Sequence, residues 1–209
     1  MSEMINIIKR RKSVRSFKPE QIPDAELDEI LEAALRAPLA SNSEQWHFSV
    51  LQDRKFIDRL VRDIMGVMRT SGHEIMKKFD GWDTYDTFHH APTVIVISID
   101  MSEEVGQRDY TAAAAAENIL IAAESMDIGA CWVGGIVYPF DSEIGRKTRA
   151  ARKIPEAPGP DAVKKEVFLK ESMGIPPGYS PVAAVALGYR AEETTRLTPR
   201  KKDVITYVR

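Results

Sequence analysis

Apolar residues recur along this chain in two rhythms. Between Asp24 and Ala37, Leu27, Ile30, Leu31, Ala34 and Leu35 follow the i, i+3, i+4 spacing with acidic residues opposite, and Pro23 and Pro38 bracket the run. That spacing predicts an amphipathic helix. Arg54–Arg69 repeats it with Phe56, Ile57, Leu60, Ile64, Val67 and Met68. Tyr110–Met126 predicts a third helix, alanine-rich and apolar around most of its circumference, with Gly129 as a stop signal just beyond. A helix so apolar belongs against a sheet or a partner chain. The second rhythm is that of strands. His47–Leu51 reads as a short one, and Thr93–Ile99 is a near-continuous β-branched run expected to be buried on both faces. Ala130–Val137, interrupted by Gly134-Gly135, and Pro181–Gly188 complete the set. Residues 71–91 are mixed and assign to no element, and 153–160, with three prolines and one glycine, read as a loop. From Ala191 onward helical periodicity is absent, and the chain ends in an alternation of Val204, Thr206 and Val208. Such a tail is either disordered or pairs with something.

This order of elements describes an α+β or α/β domain whose sheet is covered by helices. At 209 residues, one domain with a sizeable core is expected. The 44% hydrophobic and 29% charged content argues against wholesale disorder. A net charge of −2, from 29 basic and 31 acidic residues, leaves no bulk positive field to hold nucleic acid. The single cysteine, Cys131, forms no intramolecular disulfide, and no Cys/His spacing resembles a zinc site. Without a signal-peptide pattern or a bilayer-length apolar run, the expectation is a cytoplasmic protein with no membrane segment.

Local charge alters this plain picture. Residues 9–15, Lys-Arg-Arg-Lys-Ser-Val-Arg, put Arg11, Ser13 and Arg15 on one face if the segment is extended. Two guanidinium forks and a hydroxyl suit a phosphorylated small molecule, although a solvated basic terminus has the same composition. A second cluster, Arg196 and Arg200-Lys201-Lys202, places Arg200 and Lys202 on one face. The two clusters either converge on one anion or stand apart in solvent. The small and amide-bearing residues of 37–46 serve a helix–strand turn. Gly134-Gly135 either admits a planar ligand or another backbone, or marks a bulge, and Trp132 beside it is expected in the core. The histidines His47, His73, His89 and His90 compose no nucleophile–base pair, and adjacent histidines on a strand face opposite ways, against a metal site. Asp109 and Glu117 fit a helix cap and a polar helix face. There is no Walker lysine and no G-x-G-x-x-G after a strand.

Together these pieces resemble the nitroreductase family of FMN-dependent oxidoreductases. Ile8–Phe17 is similar to its Arg-x-Ser-x-Arg opening followed by an aromatic, and Ala37–Phe48 to its Ala-Pro-Ser-x-x-Asn-x-Gln-Pro-Trp-x-Phe turn, with Leu39 in place of serine and Glu44-Gln45 in place of Gln-Pro. Gly129–Gly135 and the ending Leu187-Gly188-Tyr189 with its basic tail fit as well. The resemblance implies an α+β fold with a central, mostly antiparallel sheet flanked by helices. It implies one FMN-binding domain over 1–209 in an intertwined homodimer, the tail from about 190 to 209 reaching the partner subunit and the helix at 110–126 a dimer core. Carried over, Arg11 and Ser13 bind the FMN phosphate together with Arg200 and Lys202. Arg15 lies at the pyrimidine edge, where a cation stabilises the reduced ring. Pro38, Leu39 and Asn42 border the isoalloxazine, and the backbone of Gly134 and Gly135 approaches its N5/O4 edge. The implied activity passes hydride from NADH or NADPH through flavin N5 to a nitroaromatic, quinone or similar small acceptor, in a ping-pong sequence needing no catalytic side chain. Relatives of this fold also carry out reductive dehalogenation or flavin fragmentation. A flavin-binding sensor or storage protein without turnover, and a basic-ended module for an anionic partner, are the readings from other classes.

Overall fold

The computed structural model describes residues 2–39, 45–70, 85–101, 108–140, 145–147, 150, 159–192 and 204–208. In chain order its elements are α1 (Glu3–Arg10), α2 (Asp24–Leu35), β1 (Trp46–Leu51), α3 (Arg54–Thr70), β2 (Thr93–Asp100), α4 (Arg108–Ser125), β3 (Gly129–Val133), a 3-10 turn (Gly134–Val137), α5 (Gly159–Ser172) and β4 (Tyr179–Gly188). The β-branched run of β2 is the axis of the sheet: every residue from Thr93 to Ile99 is buried. Side chains alternate across a strand, so Val94 and Val96 enter one core while Ile95, Ile97 and Ile99 enter the other. The four strands lie in the order β1-β2-β4-β3, and each neighbouring pair is antiparallel. Pro181 falls in β4, opposite Ser98 and beside a register shift. There β4 extends past the end of β3, whose pairing stops at Ala184, so the missing N–H interrupts no ladder on that side.

Helices cover both faces, as the alternation of fully buried strand positions requires. On one face α2 contributes Leu27, Ile30 and Ala34, and α4 contributes Ala112, Ala116, Ile119 and Ala123. The alanines of α4 let α2 and the sheet approach closely, and Asn118 Nδ2 donates to the carbonyl of Ala33 at 2.9 Å to lock the two helices. On the other face Ile57, Leu60 and Ile64 of α3 pack with Leu169 of α5 and Ile136 of the 3-10 turn. The α+β reading with an antiparallel sheet therefore holds.

Four local expectations change. Lys9 and Arg10 belong to α1, which the pattern reading did not identify, so the extended part of the basic run begins at Arg11. Its amphipathic face is short, with Ile7 alone buried, and that gives little periodicity to read. The strand expected over 130–137 ends at Val133, where the chain turns tightly and buries Ile136 and Val137. Trp132 is 39% exposed, outside the core, because β3 is an edge strand whose outer flank is incompletely covered. Finally, α5 begins at Gly159-Pro160, inside the stretch read as a loop: proline in the first helical turn supplies a fitting φ and lacks only an N–H that would have no partner there. Among the described residues no helix is long and apolar enough to cross a membrane.

Candidate functional site

The segment after α1 is pinned into the sheet by its backbone. Val14 N donates to the carbonyl of Ala130 at 2.9 Å, and Ser13 bridges Ala130 in parallel, so the segment flanks β3. Farther on, Lys18 N donates to Tyr189 O at 2.8 Å and Ala191 N to Ser16 O at 3.1 Å, with Phe17 bridging Arg190. Two glycines paired across β3 and β4 make room for this. A Cβ on Gly129 would stand 2.9 Å from Val14 Cγ1, and one on Gly188 would stand 2.8 Å from Pro92 Cδ and 3.2 Å from Phe17 Cδ1. With Val14 1% exposed and turned inward, the alternation sends Ser13 and Arg15 the other way.

A carboxylate clamp fixes where this segment starts. Buried Glu124 on α4 accepts Arg10 Nε at 3.1 Å on one oxygen and Arg190 NH2 at 2.7 Å on the other. Arg190 also donates to the Asp127 carbonyl at 2.7 Å. One residue later, Arg11 Nε lies 3.5 Å from Glu117 Oε1.

Arg11, Ser13 and Arg15 all act on the Cys131 thiol. Burial pushes the thiol up, opposed by the Arg15 charge, by a hydrogen bond with Ser13 and by the Arg11 charge. It therefore stays a neutral thiol near neutrality, and no thiolate nucleophile arises here. The same Arg15 charge reaches two residues of the turn before β2. Burial lowers the His89 pKa and Arg15 lowers it further, while burial raises that of Tyr85. The two rings meet edge to face, 6.0 Å apart.

That turn is strained and braced. His89 and His90 take φ of 57° and 59°, a left-handed conformation unusual in non-glycine residues. Asp86 holds it: one oxygen accepts Phe88 N at 2.7 Å, and the other faces His90 Nδ1 at 3.1 Å and Arg54 NH2 at 3.4 Å. Phe88, fully buried, anchors the far side. Thr87 closes against the 3-10 turn, its Oγ1 2.9 Å from where a Cβ on Gly135 would stand, whereas a Cβ on Gly134 would meet open space. The histidine pair is thus in a turn, not on a strand; its members still diverge, and among the described residues no His/Cys/Asp/Glu group could hold a metal.

Of the residues singled out from sequence, Arg11, Ser13 and Arg15 are assembled, and Gly134 and Gly135 follow on the strand that carries Cys131. Pro38, exposed, and Leu39, half-buried, lie beyond the end of α2, with no hydrogen bond or ion pair to that group. Asn42, Arg200 and Lys202 lie outside the described residues. Nothing in the sequence pattern points to Tyr85, and His89 enters it only as a metal or base candidate, because the turn they share closes against the 3-10 turn only in the fold.

The family model described as the nitroreductase family matches residues 8–189. A protein of Archaeoglobus fulgidus that carries the provisional name NADH dehydrogenase/NAD(P)H nitroreductase is 29% identical over 197 residues, 92% of this chain and 88% of that one. Among solved structures, a nitroreductase with bound FMN from Bacteroides fragilis superposes with a TM-score of 0.83 at 27% identity, covering 100% of both chains. One from Desulfitobacterium hafniense, also with bound FMN, gives 0.78 at 25% identity and the same coverage.

Proposed function

The chain belongs to the nitroreductase family, and on that premise we propose that it is an FMN-dependent oxidoreductase, acting as a homodimer and oxidising NADH or NADPH. The observation that carries this reading is the pinning of the Arg11–Arg15 segment along β3, with Val14 turned inward and Ser13 and Arg15 on the opposite side, beside a strand that leads to an open glycine. From Cys131 along the end of β3 to Gly134, the first residue of the 3-10 turn, the chain advances about 10 Å at about 3.3 Å per residue, the length scale of a tricyclic ring system. Arg11 and Ser13 would hold the phosphate, joined by Arg200 and Lys202. Arg15 would face the pyrimidine edge, and Gly134, lacking a side chain in open space, would let the ring edge approach the backbone. Pro38, Leu39 and Asn42 would border the ring from the partner subunit. When bound, FMN supplies hydride acceptance from the nicotinamide and onward transfer to a nitroaromatic, quinone or similar small acceptor, in a ping-pong sequence.

The protein's own work is electrostatic and positional. Arg15 would stabilise negative charge that develops at the ring edge. Neutral His89 and Tyr85 add polar groups beside that cation without cancelling its charge. Exposed apolar residues on α1, namely Met4, Ile5 and Ile8, with Tyr110 at the start of α4 and Val204, Ile205, Tyr207 and Val208 in the tail, support burial between two subunits. The purified protein should be yellow and dimeric, and NADH or NADPH should bleach it. A colourless protein that takes up no added FMN would remove the proposal. A yellow one that neither nicotinamide bleaches would favour a flavin sensor or store.

A further inference from the structure

Two consecutive arginines meet two glutamates of one helix. Glu117 and Glu124 stand seven residues apart on α4, two turns, and so share a stripe. Arg10 ends α1 and reaches Glu124; Arg11, whose backbone has left the helix at φ −52° and ψ 135°, reaches Glu117. The glutamates differ in environment. The Glu124 side chain is 8% exposed and engaged on both oxygens, whereas that of Glu117 is 46% exposed and, among the described residues, pairs with Arg11 through Nε. A guanidinium held at its Nε side keeps its Nη groups for a second acceptor, and its planar fork matches a phosphate.

We propose that Glu117 is a positioning residue for the anion site: it holds the Arg11 guanidinium at Nε so that the Nη groups meet a terminal phosphate, making the site select phosphorylated flavin over riboflavin. This rests on the FMN reading above. The carboxylate also repels a phosphate, but it is half-exposed and solvent screens that repulsion. Orientation of a long, flexible side chain is the larger effect.

The test is the ratio of FMN to riboflavin dissociation constants in the full-length protein, by quenching of flavin fluorescence, with thermal midpoints as a check on folding. Glu117→Ala should weaken FMN about tenfold and leave riboflavin within twofold, while Glu117→Gln, which keeps an acceptor for Nε, should restore most of the loss. In an Arg11→Ala background Glu117→Ala should have no further effect. A ratio left unchanged or shifted toward FMN by Glu117→Ala, equal losses for both flavins, or failure of Glu117→Gln to rescue would overturn the role of Glu117 while leaving the cofactor reading intact. A wild-type protein that binds neither flavin would remove both.

Discussion

Arg11 is expected to contribute a charge-assisted hydrogen bond to the cofactor phosphate, so Arg11→Ala should weaken FMN retention by about 1.5–3 kcal/mol. Equilibrium dialysis showing unchanged affinity would take Arg11 out of the site. His89 makes a second prediction, in pH. The folded protein holds His89 below its ordinary value of 6.5, first through burial and then through Arg15, with Asp86 opposing and His90 adding. The unfolded chain therefore binds more protons, so this residue's contribution to stability is intact above pH 6.5 and is lost as pH falls below that value through the lower folded pKa. His89→Asn, with a residue that tolerates the left-handed backbone, should flatten the fall in melting temperature below about pH 6.5. An identical slope in the variant would show that His89 does not drive it. At this scale the sequence exposed the cations and the serine, because charge and alternation are local properties. It hid Cys131, which meets this segment only once Ser13 and Val14 are pinned to Ala130, and Tyr85 and His89, whose turn closes against the 3-10 turn only in the fold.

Among the elements, β2, α2, α3, α4 and β4 were legible because each buries a face or both faces along most of its length, and burial is what periodicity records. The shorter or irregular pieces were not. α1 buries Ile7 alone, α5 starts on a glycine and a proline, and the 3-10 turn follows strand-like residues. The decisive feature of the 3-10 turn is the approach of Thr87 to Gly135, a tertiary contact. Gly129 has the same character. It was read as a helix stop, yet Ala130 and the segment at Val14 depend on its missing Cβ. Gly129→Ala should force Val14 away and cost about 1–3 kcal/mol by overpacking, with FMN retention falling as Ser13 and Arg15 shift. Val14→Ala combined with it should recover part of the retention; loss of stability with flavin binding untouched would separate Val14 from the site.

For the molecule as a whole, the three-layer arrangement followed from the double-sided burial of β2, whereas the way chain ends meet the sheet did not. Arg190, just past β4, joins Glu124 and the Asp127 carbonyl at the C-terminal end of α4, and the early residues Ser16 and Lys18 bond the backbone around it. No local pattern announces such a closure. It carries a consequence in time. The bridges of Ser13 with Ala130 and of Phe17 with Arg190 join positions separated by more than half the chain, and contacts that distant form slowly. Helices and their hydrophobic packing can therefore recover before the anion-holding segment finds its place. During refolding from denaturant in the presence of FMN, quenching of flavin fluorescence should lag behind the recovery of helical circular dichroism, and coincident single-phase traces would refute the order. A newly made chain would then pass through a stage that is already collapsed and still unable to hold its cofactor, ended only when its first residues are laid against its last strand.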